Sequence, residues 1–294
     1  MGSYRLVSLL GKGGMGEVWR ARHSLLARDA AIKLIQPGVL SGGREGNAAL
    51  VRRRFEQEAQ ATATLRSPHT VELYDFGVTA DGVFYYVMEL LEGIDLETLV
   101  RRFGPQPPAR GVHILSRVCR SLADAHHHGL VHRDIKPSNI FLCRMGNEYD
   151  YAKVLGLAKT SGSGGENITA AGALHGTPAY LAPELAEGTA GIDGRTDLYA
   201  VGCVAYWLLT GRRVFEAKTA MAMILAHVNS TPALPSQLSP VDLPESLDRL
   251  VMLCLAKQPA VRNWRKCWKT AKGSIHGPAR RPKVVAPQCD GGCR

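Results

Sequence analysis

The sequence predicts an α+β protein of two lobes, a small β-rich lobe followed by a larger α-helical one. Short alternating stretches broken by Gly and Asp turns fill the chain as far as Glu89, as strands do. Beyond Leu96 the apolar residues recur at helical spacing. From Leu198 to Leu209 every residue is apolar or small, which marks a helix buried on all sides.

In chain order, residues 4–35 read as paired strands around a Gly-rich turn. Residues 52–65 read as a helix that stops before Ser67-Pro68. Val71–Phe76 and Val83–Glu89 read as two more strands joined at Ala80-Asp81-Gly82. Gly111–His128 is long and amphipathic. The helix containing Leu198–Leu209 is stopped by Gly211, which suits the left-handed residue past a helix end. Pro244–Ala256 reads as a further amphipathic helix.

With 294 residues, 45 % apolar and 21 % charged, the composition excludes wholesale disorder and a collagen-like repeat. The longest apolar run is 12 residues, against roughly 18 for a membrane span, so no membrane span is expected. The N-terminus enters a strand-like stretch without a signal peptide, and Leu6 stands where a myristoylation motif wants Ser or Thr. A cytoplasmic protein with reduced thiols follows, since the 7 Cys are odd in number and lack zinc spacing. His126-His127-His128 is contiguous, a poor metal cage on a helix.

The net charge of +10 is unevenly placed. From Arg262 to Arg294 nine basic residues stand against one acid, Asp290, so this stretch carries +8. The high charge belongs to a tail, and no nucleic-acid groove is expected across the fold. Residues 263–294, broken by Pro278, Pro282 and Pro287, read as a basic, disordered tail.

Gly11-Lys12-Gly13-Gly14-Met15-Gly16 fits G-x-G-x-x-G. A dinucleotide fold would need a helix straight after it, but Glu17-Val18-Trp19-Arg20-Ala21 alternates like a strand. The loop is therefore either a plain hairpin or a backbone cradle for phosphates. Lys33 in Ala30-Ala31-Ile32-Lys33 becomes, beside that loop, a phosphate clamp. Glu58 on the first helix is its natural acidic partner, with Glu56 the runner-up. His132-Arg133-Asp134-Ile135-Lys136-Pro137-Ser138-Asn139 matches the H-R-D-x-x-x-x-N loop at every specified position. There Asp134 would accept a substrate hydroxyl proton, Lys136 would steady the γ-phosphate and Asn139 would ligate a metal.

With these motifs the sequence resembles the protein kinase family, and within it the bacterial members of the eukaryotic-like Ser/Thr kinases. The resemblance covers residues 4–262 and includes Gly176 to Glu184, Asp197, Gly202 and Arg262. It implies the two-lobed kinase fold, with a small lobe at about 4–88, a large lobe at about 92–262, and ATP between them. Leu10 to Val18 would cover the nucleotide, Val87 to Leu91 would form the hinge with Met88, Glu89 and Leu91 at the adenine, and Val18, Ala31 and Phe141 would sandwich the base. Lys136 resembles the Ser/Thr type of loop, implying protein Ser/Thr hydroxyls as acceptors, with Thr177 supporting it. Glu184 with Arg262, and Asp197 toward the catalytic loop, would be structural supports. Thr160, Ser161, Ser163 and Thr169 are candidate phosphosites, with Arg133 as docking cation.

Two departures stand out. Where the family reads roughly K-V-L-D-F-G-L-A-K, this chain reads Lys153-Val154-Leu155-Gly156-Leu157-Ala158-Lys159. The Asp that would hold Mg²⁺ and the Phe after it are absent, and the path is shortened by about 6–7 Å. Asp150 is the nearest stand-in, on the wrong side of the strand. The expectation is a weakened Mg²⁺ site and impaired phosphoryl transfer; the alternative is a pseudokinase, a nucleotide-binding or scaffolding module that regulates a protein partner. The second departure is the tail itself, which stands in place of a last family helix and should leave part of the large lobe uncovered.

Overall fold

The computed structural model describes residues 3–13, 16–35, 48–156, 159–160, 177–189 and 191–262. Gly14, Met15, Ser161, Ser163, Thr169 and the tail from residue 263 lie outside them.

The small lobe is a five-stranded antiparallel sheet in the order β1-β2-β3-β5-β4. Its strands are β1 (Tyr4–Gly13), β2 (Gly16–His23), β3 (Asp29–Ile35), β4 (Leu73–Val78) and β5 (Phe84–Glu89). Helix α1 (Ala48–Ala63) packs on this sheet through Phe55, whose ring stacks on Tyr86 at 4.4 Å and lies 4.7 Å from Phe84. The helix begins earlier than the expected 52, because Ala48-Ala49-Leu50 are themselves good helix formers. Gly16 permits the β1–β2 turn. Its φ is +133°, and a Cβ there would lie 1.8 Å from the Leu34 carbonyl oxygen of β3, so only glycine lets the two strands approach.

The large lobe contains β6 (Gly93–Asp95), α2 (Leu96–Phe103), α3 (Pro108–His127), β7 (Leu130–Val131), β8 (Ile140–Met145), β9 (Glu148–Val154) and β10 (Lys159–Thr160). It continues with α4 (Pro183–Ala186), α5 (Arg195–Thr210), α6 (Ala220–Asn229), α7 (Pro235–Leu238) and α8 (Glu245–Cys254). Asp95 caps α2 by accepting from the Thr98 amide at 2.9 Å, a contact worth about 1 kcal/mol. α5 is buried on every side, as its composition predicts, with Leu208 and Val204 fully enclosed. Gly211 ends it in the left-handed conformation, φ 70°, with its amide on Trp207 O. Leu96, Ile114, Val118, Ile135, Ile140 and Val204 meet in one core that joins α2, α3, α5 and the β8–β9 hairpin.

The lobes are tied by backbone. Val71 N donates to Val154 O at 3.0 Å and Val154 N to His69 O at 2.8 Å, so the segment before β4 runs beside the end of β9. It sets Lys33 of β3 where the charge of Asp134, on the loop after β7, acts on it. Among the described residues, no helix is long and apolar enough to cross a membrane.

Candidate active site

The loop between β7 and β8 carries the chemistry-bearing residues, and its shape is set from below by Asp197. This carboxylate is wholly buried at the start of α5. Its Oδ2 accepts from His132 N at 2.9 Å and from His126 Nε2 at 2.8 Å, and its Oδ1 accepts from Arg133 N at 2.8 Å. Arg133 has φ +61°, a costly conformation for a residue with a side chain; the two amide bonds to Asp197 hold it there. Burial alone would raise the Asp197 carboxyl, but the His126 hydrogen bond and the nearby imidazoles take it below the usual range.

Above this support, three of the expected residues converge. Lys136 Nζ donates to both Asp134 oxygens, at 3.0 and 2.9 Å. Asn139 Nδ2 donates to Asp134 Oδ2 at 2.9 Å and to Asp134 O at 2.7 Å. Proline at 137 starts a 3₁₀ turn, Pro137–Asn139, that returns Asn139 toward Asp134. Lys33, from β3, faces the same carboxylate. Burial lowers its ammonium pKa, the Asp134 charge opposes this, and Lys136 adds to the lowering.

The turn after β9 closes directly on this loop. Leu155 N donates to Asn139 O at 2.8 Å, and His132 Nε2 donates to Leu155 O at 3.0 Å. His132 Nδ1 accepts from Asp134 N at 3.3 Å, which fixes the proton on Nε2. Gly156 follows at φ +115°, where a Cβ would meet His132 Nε2 at 3.0 Å. The Leu155 carbonyl, just before Gly156, is thus taken by His132.

Other expected residues are placed as follows. Gly11, Lys12 and Gly13 pair with Val18, Glu17 and Gly16 across the β1–β2 hairpin. Lys12 bridges Glu17 at 3.0 Å, and the Lys12 hydrogen bond lowers the Glu17 carboxyl. Leu10 is exposed on β1. Val18 pairs with Lys33, and buried Ala31 pairs with Met88. Phe141 on β8 sits opposite Asp95 and Lys153. Leu91 is half-buried just beyond β5.

Among the described residues, the carboxylate whose charge acts on Lys33 is that of Asp134. Glu58 is half-buried on α1, and its charge acts on Tyr86 and Arg133. Asp150 is no stand-in for the missing carboxylate. Arg110 of α3 holds it in a two-pronged pair at 2.8 and 2.7 Å, and it stands five residues before Leu155, about 16–17 Å along the strand. The described residues contain no group of three His, Cys, Asp or Glu side chains able to hold a metal.

Two contacts were not anticipated. Lys153, buried on β9, forms an ion pair with Glu89, whose Oε1 also accepts from Glu72 N at 2.8 Å. The Glu89 side chain is therefore engaged by Lys153 and by the Glu72 amide. His126 was dismissed with its neighbours as a weak metal cage, yet it supports Asp197. A usable signal was present, since His126 follows buried Leu122 by one helical turn.

The two-lobed architecture, the Asp134 loop and its buried support define a kinase-type domain, and the chain belongs to the protein kinase domain family, whose pattern it matches over residues 4–268. It is similar to the serine/threonine-protein kinase pkn3 of Myxococcus xanthus, 38 % identical over 88 % of this chain and 47 % of that protein. It is also similar to PknD of Mycobacterium tuberculosis, 36 % identical over 89 % of this chain and 38 % of that protein. PknB of Mycolicibacterium smegmatis is 37 % identical over 87 % of this chain and 40 % of that protein. The chain thus spans less than half the length of these relatives. The resemblance to bacterial Ser/Thr kinases read from the motifs is borne out by these matches, and the family's use of ATP and a divalent cation comes with membership.

Proposed function

We propose that the chain is a protein kinase domain that transfers the γ-phosphate of ATP to Ser or Thr hydroxyls of proteins, with transfer impaired by the loss of the Asp-Phe pair before Gly156. The observation that carries this is the pairing of an assembled Asp134–Lys136–Asn139 cluster with a Leu155-Gly156 turn that has no acidic side chain. Asp134 accepts the proton of the incoming hydroxyl. Lys136 and Lys33 supply positive charge along the path of the transferred group. Met88 to Leu91 offer hinge backbone to the adenine, between Val18 and Ala31 above and Phe141 below.

The metal donors do not fit a dedicated Mg²⁺ site. That ion prefers charged oxygens in tight geometry. Here Asn139 is the one side chain in the expected position, its amide NH₂ is turned to Asp134, and the Leu155 carbonyl accepts from His132. Losing one preorganised stabilising group often costs about 10²–10³ in rate.

A second reading, a pseudokinase that binds nucleotide or scaffolds a regulatory protein partner, is favoured by the Leu155-Gly156 turn, which carries no acidic side chain. A cytoplasmic setting accompanies both readings. The test is radiolabelled γ-phosphate transfer to the protein itself and to a generic basic protein, comparing the chain, Asp134→Asn, and a chain with Asp-Phe restored between Leu155 and Gly156. The expected result is a trace of label in the chain, at least about 10²-fold more in the restored protein, and none in Asp134→Asn. Equal labelling of chain and restored protein would overturn the impairment; no label in any of them would favour the pseudokinase.

A further inference from the structure

A polyphosphate tail is strongly anionic, its terminal phosphate alone bringing about −1.5 to −2 near pH 7. A protein can meet that charge in two ways. Acidic side chains can hold a divalent cation against the phosphates, or cationic side chains can bind the oxygens directly. The residues around Asp134 suit the second.

Two ammonium groups share this space with one carboxylate. Lys136 Nζ donates to both Asp134 oxygens, at 3.0 and 2.9 Å, and a lysine carries a third N–H beyond those two. Lys33 enters from β3, half-buried, where its neighbours across the sheet are Val18 of β2 and Tyr86 of β5. The charges that act on it are those of Asp134 and Lys136. Together the three groups carry one net positive charge.

The oxygens a cation would need are already committed. Asp134 Oδ2 accepts from Lys136 and Asn139, and Oδ1 accepts from Lys136. The Asn139 NH₂ donates to Asp134 Oδ2 and to Asp134 O, so Asn139 has a single neutral side-chain oxygen to offer. Leu155 O accepts from His132, and Asn139 O accepts from Leu155 N. Neither Leu155 nor Gly156 brings an acid. Mg²⁺ demands near-ideal octahedral oxygen geometry. Seating it here would cost Asp134 its hydrogen bonds and place a dication beside two ammonium groups.

We propose that this cleft takes its nucleoside triphosphate as the free anion, without a divalent cation, and that Lys33 and Lys136 bind the phosphate oxygens directly. The proposal rests on the kinase-domain reading given above, which supplies the nucleotide. Mg²⁺ on the nucleotide would cancel the charge that the two lysines recognise, so the metal complex binds no better than the free anion. Asp134 repels the same phosphates and competes with them for Lys136.

The test is equilibrium dialysis of the full chain against radiolabelled ATP, in EDTA or in excess Mg²⁺, with adenosine as the uncharged control. The expected Kd for ATP in EDTA is equal to or lower than that in Mg²⁺, and at least about 10-fold lower than that for adenosine. Lys33→Met with Lys136→Met should weaken ATP in EDTA by about 10-fold or more and leave adenosine unchanged. Asp134→Asn should tighten ATP in EDTA. The chain with Asp-Phe restored before Gly156 should bind ATP more tightly in Mg²⁺ than in EDTA. Three results in the unaltered chain would each overturn the proposal: tighter binding in Mg²⁺ than in EDTA, equal Kd for ATP and adenosine in EDTA, or no ATP bound in either medium. Those comparisons need no variant, so a misfolded one does not rescue the idea. Phosphoryl transfer by the restored chain decides the kinase reading separately. Transfer there, with no metal-free binding in the original chain, refutes this proposal alone; metal-free binding with no transfer in the restored chain upholds it and refutes only that reading.

Discussion

Replacing Arg262 by Ala should be among the most destabilising single changes in the large lobe. The side chain is fully enclosed and pairs with buried Glu184 at 2.6 and 2.7 Å. Glu184 keeps one other partner, the Thr196 hydroxyl, which donates at 3.0 Å. Truncation at Cβ leaves a buried carboxylate without its counter-charge and strips a donor from the carbonyls of Ala256, Lys257 and Arg195. Breaking a buried pair from one side typically costs about 3–5 kcal/mol. At about 2–4 °C per kcal/mol for a domain of this size, the melting midpoint should fall by roughly 10 °C. Urea unfolding followed by tryptophan fluorescence measures the change directly. Replacing both partners together, Glu184→Leu with Arg262→Met, should cost less than Arg262→Ala alone, because no unpaired charge remains. A loss below about 1 kcal/mol for Arg262→Ala, or a double variant worse than the single one, would show that the pair is not the clamp its geometry indicates.

Gly156→Ala should destabilise by about 1–3 kcal/mol, since φ is +115° and the new Cβ crowds His132; chemical denaturation checks it, and a neutral result would mean that the turn relaxes freely. Asp197→Asn should release the Arg133 backbone and speed amide exchange at His132 and Arg133, measured by hydrogen exchange; unchanged protection there would remove Asp197 as the support. Burial, with the Lys257 charge adding to it, depresses His227 to about 4. The unfolded chain then binds the extra proton between pH 4 and about 6.5, so this contribution is complete above pH 6.5 and lost as pH falls toward 4. It amounts to at most about 3 kcal/mol. Urea titrations at pH 7.5 and 5 should show a steeper loss in the original chain than in His227→Phe, and parallel losses would deny His227 that role.

Much of the fold was legible because its signals are local. Strand alternation, the Gly-rich turn, Gly211 past α5 and the all-apolar run each report a conformation that neighbouring residues impose. The Asp134, Lys136 and Asn139 cluster was legible for the same reason, since a 3₁₀ turn starting at Pro137 brings Asn139 back within one short loop. Contacts that cross between elements were harder to read. Lys153 and Glu89 are far apart in sequence, and each alone looks like a solvated charge. His126 was obscured by His127 and His128, because only packing of α3 against α5 decides which imidazole meets Asp197.

The sequence by itself determined the order of the lobes, the loop that carries Asp134 and the absence of an acid at the Leu155-Gly156 turn, because each is a matter of residue identity and short-range spacing. Only the tertiary structure decided what those residues touch. It made Asp134 the carboxylate felt by Lys33, gave Asp150 to Arg110 and bound the Leu155 carbonyl to His132. Charges and donors choose partners by distance in space after the helices and sheet have packed, and burial there forces every buried polar group to find one.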